Sequence, residues 1–359
     1  MPAAASDSTN PSTSDVRVAM CGAGGIIEAH VAAAQFNGYH ITAIASRSIE
    51  RAQAQATAFH TRAVSYDQLP GDANVVIVAT PPQQHASDVL RMLRAGASVL
   101  VEKPLCTTLA DADDIVRVSA EHGDRLLYAE NLAYAPIIGK VLALVPQLGS
   151  LTHLQIRTLQ SLPASGGFTT DEWGGGALFD LGIHPLALTV LIANASGAGR
   201  AVSVSAVLRG AADGSHNSDE HAEVTLVFES GLRASVVSSW QCGPEPLWDI
   251  EVASETGVIR ADLLPERSLE LHGVSQQLPA AAVPLAIIED FGYLGQLRAL
   301  VQDVAAGRVP AMSASFGRHM LDIVCAAYAA AGHGGSESLP FRGSRHATPL
   351  QLWRGATNA

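Results

Sequence analysis

The run SVLVEKP ends in Glu102, Lys103 and Pro104. An amine at the carboxyl end of a buried strand points into a crevice, where it can hydrogen-bond a substrate oxygen and stabilise charge developing there. Pro104 restricts Lys103 to extended geometry and so fixes where the amine points. Farther along, WGGGALFDLGIHPLAL sets Asp180 and His184 four apart, a spacing that puts both on one helix face. Gly174, Gly175 and Gly176 precede them and let the backbone turn tightly over a ligand. An imidazole suits proton transfer near neutral pH, and a carboxylate beside it can tune it or orient the substrate. An amine and an imidazole meeting at one oxygen are the machinery for chemistry at a hydroxyl/carbonyl pair. The sequence leaves open which of the two moves the proton, since they titrate as a coupled pair.

CGAGGIIEAH follows the apolar run VRVAM and opens a helix. Gly22 and Gly24 fill the first two places of G-x-G-x-x-G, and with Gly25 and Ile26 they form a turn whose N–H groups suit a pyrophosphate. Ile27 stands where Gly or Ala usually lets helix and strand approach, so the helix is expected to be pushed slightly outward. The pattern predicts a dinucleotide cofactor. At the end of the next run, HITAIAS, stand Ser46, Arg47 and Ser48 in place of the carboxylate that bonds the ribose of NAD. Loss of that carboxylate, with Arg47 as a planar donor to a 2′-phosphate, favours NADP. NAD is the alternative, with Arg47 then a solvated loop residue. Beside oxidised nicotinamide, which carries positive charge, the Lys103 pKa is expected to fall.

Thr80 and Pro81 close a further run, NVVIVAT, on the edge where ligands bind in such sheets. His85 either contacts the cofactor there or merely starts a helix. Hydride transfer of this kind needs no metal, because the nicotinamide accepts the electrons and side chains handle the proton. HNSDEH, His216 to His221, is accordingly expected to be a solvated loop and not a metal site. Trp173 either lines a sugar pocket, as a substrate contact, or belongs to the core or an interface, and Trp240 and Trp248 are assigned to core or interface.

The elements around these residues divide the chain. Of 359 residues, at about 150 per domain, roughly two domains are expected. From 15 to 131, continuous apolar runs alternate with helices, which predicts an α/β Rossmann domain with a doubly wound parallel sheet. From 132 to 359, helices over Tyr134–Leu148, Leu178–Asn194, Ile287–Ala306 and Ser315–Ala331, with several strands between them, predict an α+β domain on a large, mostly antiparallel, open-faced sheet with helices on one face, expected to bind substrate and to oligomerise. Hairpins are expected at Glu229–Gly231 and Glu255–Gly257. Residues 1–14, rich in Ser, Thr, Pro and Asp, are expected to be a disordered arm without a secretory signal.

Together the glycine turn, TPP…H, EKP and D-x-G-x-H, in this order, resemble the glucose–fructose oxidoreductase/inositol dehydrogenase (Gfo/Idh/MocA) family from Val16 to Pro340. The resemblance implies oxidation or reduction of sugars, polyols or related alcohols. It carries the family's lysine onto Lys103 and its catalytic pair onto Asp180 and His184. Asn131, in AENLAYAP, resembles a substrate-site asparagine, although the arginine often seen nearby is absent. Two rivals share the fold: a glycoside-cleaving enzyme that uses bound NAD with no net redox, and a dinucleotide-binding sensor without catalysis.

A formal net charge of −12 disfavours nucleic acid and anionic membranes as partners. Cys21, Cys106, Cys242 and Cys325 lie far apart with no C-x-x-C spacing, as expected of reduced thiols in the cytoplasm. No apolar run reaches the roughly 20 residues that span a bilayer. Alternating apolar positions on a sheet face without obvious helical cover suggest a homo-oligomer.

Overall fold

The computed structural model describes residues 15–164, 167–280 and 283–355, so the expected arm at 1–14 lies outside the described residues. Strands β1 (Arg17–Cys21), β2 (His40–Ala45), β3 (Arg62–Ala63), β4 (Val75–Val78), β5 (Ser98–Glu102) and β6 (Leu126–Ala129) form a parallel sheet in the order β3-β2-β1-β4-β5-β6. VVIV, SVLVE and LLYA are buried at every position. Such continuous apolar runs make strands with no solvent face, covered on both sides by crossover helices. Those helices are α1 (Ile27–Phe36), α2 (Ile49–Ala58), α3 (Leu69–Asp72), α4 (Pro82–Arg94) and α5 (Leu109–Glu121). Ser48 and Thr108 cap α2 and α5, and Pro82 opens α4 where its missing N–H costs nothing. The strand order reverses between β1 and β4, and the carboxyl ends of these strands leave a crevice.

After α6 (Pro136–Leu144) come β7 (Leu151–Leu159), α7 (Ala177–Asp180) and α8 (Ile183–Ala195). The expected single helix over Leu178–Asn194 is thus two, broken at Leu181 and Gly182. A Cβ on Gly182 would sit 2.8 Å from Leu178, so only glycine permits the tight step. Strands β8 (Ala201–Gly210), β9 (Asp219–Phe228), β10 (Arg233–Ser239), β11 (Leu247–Ser254), β12 (Val258–Leu264), β13 (Ser268–Leu271) and β14 (Val274–Ser275) follow. With β7 and β15 (Ser336–Ser338) they form a nine-stranded sheet, antiparallel except where β10 runs beside β7. Both expected hairpins join antiparallel neighbours, β9 to β10 and β11 to β12.

One face of this sheet, carrying Leu154, Ile156, Val224, Leu226, Val236, Ile250 and Val252, is buried in the main core. The other carries Gln155, Arg157, Thr225, Ser235, Glu251 and Arg260, with Arg157 paired to Asp249 and Arg260 to Glu251. The apolar half of the alternation therefore faces helices, and the uncovered half is polar. That is the reverse of the apolar open face from which a homo-oligomer was expected.

Four helices close the chain: α9 (Ala286–Asp290), α10 (Tyr293–Ala305), α11 (Ala314–His333) and α12 (Pro349–Trp353). Helix α10 returns to the first sheet, burying Leu297 and Leu300 with Val18, Met20, Ile77, Leu100 and Leu127. The segment 132–359 is therefore not confined to the second sheet. Among the described residues no single helix is long and apolar enough to cross a membrane.

Candidate active site

A cavity of about 1160 Å³ opens at the carboxyl edge of the first sheet and continues under the second. Its lining includes Gly22, Gly24, Gly25 and Ile26 after β1; Ser46, Arg47 and Ser48 after β2; Thr80 and Pro81 after β4; Glu102 and Lys103 at the end of β5; and Trp173, Asp180 and His184 from the following half. Fourteen sequence-predicted residues thus share one space.

The glycines divide by role. Gly22 has φ +124°, and a Cβ there would lie 2.4 Å from the Ala79 carbonyl oxygen, so the β1 and β4 ends approach only through glycine. Around Gly24 and Gly25 a Cβ would meet no protein atom within 4 Å. The fold does not need glycine at these two places, whereas a ligand backbone-close at the start of α1 does. This open cradle fits a dinucleotide. Gly22→Ala is expected to cost about 2–4 kcal/mol of stability. Gly24→Ala is expected to leave the melting temperature unchanged while weakening coenzyme binding, and equal melting losses in the two variants would contradict this division. Ile27 is wholly buried in the cluster that holds Val18 and Met20.

Lys103 Nζ donates to Asp180 Oδ1 at 2.9 Å and to the Asp180 carbonyl at 3.0 Å. Burial alone would lower the Lys103 pKa. The charge and hydrogen bond of Asp180, with the charges of Glu102 and Glu130, outweigh burial and hold it above the ordinary lysine value. The expected fall is therefore not a property of the free protein. Glu102 accepts from the Lys103 N–H at 3.0 Å, and its Oε1 lies 2.7 Å from His30 Nε2. Burial pushes the Glu102 carboxyl up, but His30 and Lys103 overcome this and hold it below the usual carboxylate range.

Asp180 and His184 do not act as an i, i+4 pair. The break at Gly182 separates their helices, and His184 turns Nδ1 to the wholly buried Glu130, 2.8 Å from Oε1 and 3.1 Å from Oε2. Glu130 therefore fixes the tautomer with the proton on Nδ1 and leaves Nε2 as the ring nitrogen for the cavity. Sequence reasoning missed Glu130, although it follows β6 directly and the rule that strand ends face the crevice applied to it.

Two expected contacts lie elsewhere. His85 does not line the cavity; its ring is sealed between the Pro104 and Thr80 carbonyls, at 2.8 and 2.6 Å, and ties the two strand-end loops together. Asn131 also stands off the cavity, donating at 2.7 Å to the Phe291 carbonyl just before α10. Trp248 is buried in the main core as expected and also lines the cavity, 6.0 Å from the His184 ring. HNSDEH is not a wholly solvated loop. Asp219 is fully buried and accepts from the Leu178 N–H at 2.8 Å and the Tyr328 hydroxyl at 2.5 Å. It thereby anchors the first turn of α7, which carries Asp180. Among the described residues no group of three His, Cys, Asp or Glu side chains is placed to hold a metal ion.

A parallel sheet with a glycine turn at its reversal point, and a lysine, a carboxylate and a histidine brought into the same cleft from two halves, defines the dinucleotide-binding oxidoreductases built from a Rossmann unit and an open-sheet unit. The chain belongs to the Gfo/Idh/MocA family. Residues 16–130 match its oxidoreductase family, NAD-binding Rossmann fold, and residues 146–260 match its C-terminal domain. The chain is 35% identical over 159 residues to the dTDP-3,4-didehydro-2,6-dideoxy-alpha-D-glucose 3-reductase of Streptomyces violaceoruber, covering 42% of this chain and 46% of that one. It is 28% identical over 212 residues to the trans-1,2-dihydrobenzene-1,2-diol dehydrogenase of Sus scrofa, covering 56% and 60%. The matched part spans about half the length of these curated relatives. In fold it is similar to GenD2 from gentamicin A biosynthesis, solved in complex with NAD, with a TM-score of 0.81 and 23% identity over 94% of this chain and 99% of that one.

Proposed function

We propose that the protein transfers hydride between a nicotinamide coenzyme, with NADP preferred, and a hydroxyl/carbonyl carbon of a sugar, polyol or related small molecule. The observation that supports this is that Lys103 and His184 line the same cavity as the glycine turn, where a Cβ on Gly24 or Gly25 would meet no protein atom within 4 Å. When bound, the nicotinamide supplies the acceptor or donor of hydride. In the oxidative direction His184 Nε2 takes the proton of the substrate hydroxyl. Lys103, held cationic by Asp180, donates a hydrogen bond to the same oxygen and stabilises the charge that develops on it. Asp180 thus acts through Lys103, and Glu130 acts through His184. A panel of sugars and polyols with NADP and with NAD, followed at the nicotinamide absorbance, tests the proposal; absence of turnover with both coenzymes would contradict it.

Glu130→Gln keeps the shape of the partner, but a carboxamide can also donate to Nδ1, so the tautomer is no longer fixed. Part of the roughly 10²–10⁴-fold contributed by a positioned base is then lost, an expected fall of about 10- to 100-fold in kcat. An unchanged kcat would remove Glu130 from the proton path.

The preference for NADP rests on the rim after β2. Arg47 and Arg51 both line the cavity there, and no carboxylate stands at the strand end. Gln84, with its amide oxygen turned to Arg47, accepts from Nη1 at 3.0 Å and Nη2 at 2.8 Å. A neutral partner holds the guanidinium in place without cancelling its charge. Arg51, one turn into α2 and near Ser48 in sequence, was missed because helix phase alone did not say which face met the crevice. Arg47→Ala and Arg51→Ala are each expected to raise the KM for NADP by about 10- to 100-fold with little change for NAD. Equal losses for both coenzymes would contradict the preference.

A further inference from the structure

We propose that the substrate end of the cavity selects an uncharged polyhydroxylated ring with an apolar face and discriminates against carboxylated and nucleotide-linked counterparts. This rests on the hydride-transfer proposal above and narrows it. The first support is the distribution of charge. Among the described residues lining the cavity, the cationic side chains are Arg47, Arg51 and Lys103. Both arginines stand at the rim after β2, away from the reacting groups in the order of strands. Lys103 is already bonded to Asp180 and flanked by Glu102, and Glu130 lies behind His184. One carboxylate thus holds the ammonium directly, and the charges of Glu102, itself bonded to His30, and Glu130 act on it from farther off. An incoming carboxylate or phosphate finds no unpaired cation and an excess of like charge.

The second support is the wall. Phe168, Trp173, Trp248 and Tyr293 line the same cavity, Trp248 beside the His184 ring and Tyr293 beside His30, the partner of Glu102, with the Phe168 and Trp173 rings 4.5 Å apart. The Nε1 atoms of Trp173 and Trp248 are both buried without a hydrogen-bond partner. The indoles thus turn their N–H edges into the protein, and what they offer the cavity is carbon. Polar groups on this part of the lining come from Gln160, Glu102, Lys103, Asp180, His184 and the Tyr293 hydroxyl, a mixture of donors and acceptors. A pyranose or cyclic polyol presents hydroxyls to such groups and a C–H face to aromatic rings. A free anion matches neither.

The test uses compounds matched except for charge: glucose against glucuronate, and glucose against UDP-glucose, with myo-inositol as a second neutral ring. Turnover is read at the nicotinamide absorbance with saturating NADP, and binding by tryptophan fluorescence of the NADP-loaded protein. The neutral member is expected to show a kcat/KM about tenfold or more higher, or a Kd about tenfold or more lower where neither is turned over. Gln160→Arg, which places an unpaired cation on the wall, is expected to narrow that ratio. An anionic member that equals or surpasses its neutral partner, or failure of every neutral ring to bind, overturns the proposal. A neutral ring that binds preferentially but never reduces the coenzyme leaves the charge selection standing and contradicts hydride transfer instead.

Discussion

Lys103→Met is expected to lower kcat/KM for alcohol oxidation by about 10²–10³-fold, the loss typical of removing one donor from a developing oxyanion. Methionine keeps most of the side chain's apolar length, so the strand end and the glycine cradle are expected to stay in place and NADP to bind nearly as before. The variant also leaves Asp180 without its ammonium partner, since Lys103 Nζ is the donor to both Asp180 Oδ1 and the Asp180 carbonyl. The sign of the pH dependence follows from the same contacts. The folded-state pKa of Lys103 lies above its ordinary value of about 10.4, so the cationic form is present below that pH and is lost as pH rises through the raised value. The alkaline limb of the pH–rate profile due to Lys103 is therefore expected above about pH 10. A Lys103→Met protein with wild-type turnover would remove the amine from the chemistry.

His184→Ala is expected to lower kcat by about 10²–10⁴-fold, the range contributed by a positioned general base. Added imidazole is expected to restore part of the activity, because the deletion leaves space beside a buried Glu130 that can orient a free ring as it orients His184. Lys103→Met should show no such rescue. That contrast separates proton transfer from oxyanion stabilisation, and rescue of both variants, or of neither, would contradict the division of roles. Coenzyme binding measured by fluorescence should be nearly intact in both.

The residues legible in the sequence are those whose position follows from a local rule. Strand ends of a parallel sheet face the crevice, so VRVAM-CGAGG, AIA-SRS, IVAT-PP and VEK could each be placed from the run that precedes them. Lys103, Thr80 and Arg47 reach the cavity for that reason. What the sequence did not disclose is which side chains pair across space. Asp180 and His184 share a helical spacing, yet Gly182 breaks the helix between them and each finds a partner more than 50 residues away, Lys103 and Glu130. The glycine inside DLGIH was visible and was the signal to distrust a continuous helix. His85 and Asn131 carry the right side chains at the right edges, but both spend their hydrogen-bonding groups on backbone carbonyls.

Asp219 misled in the opposite sense. A run of polar residues before a strand reads as solvent-facing, and nothing local says that one of its carboxylates fills the first turn of α7. The return of α10 to the first sheet was equally hidden, because an amphipathic helix does not name the face it will cover. That return brings Tyr293 to the cavity and the Phe291 carbonyl to Asn131. Burial pushes the Asp219 carboxyl upward, while its bonds from Leu178 and Tyr328 oppose this.

The most direct measurement is a crystal structure of the protein with NADP and a turned-over neutral substrate or its inert analogue. Lys103 Nζ and His184 Nε2 should both lie within hydrogen-bond distance of one substrate oxygen, whose carbon faces the nicotinamide. If the two nitrogens contact different substrate atoms, or if the substrate carbon lies away from the coenzyme ring, the proposed chemistry is wrong.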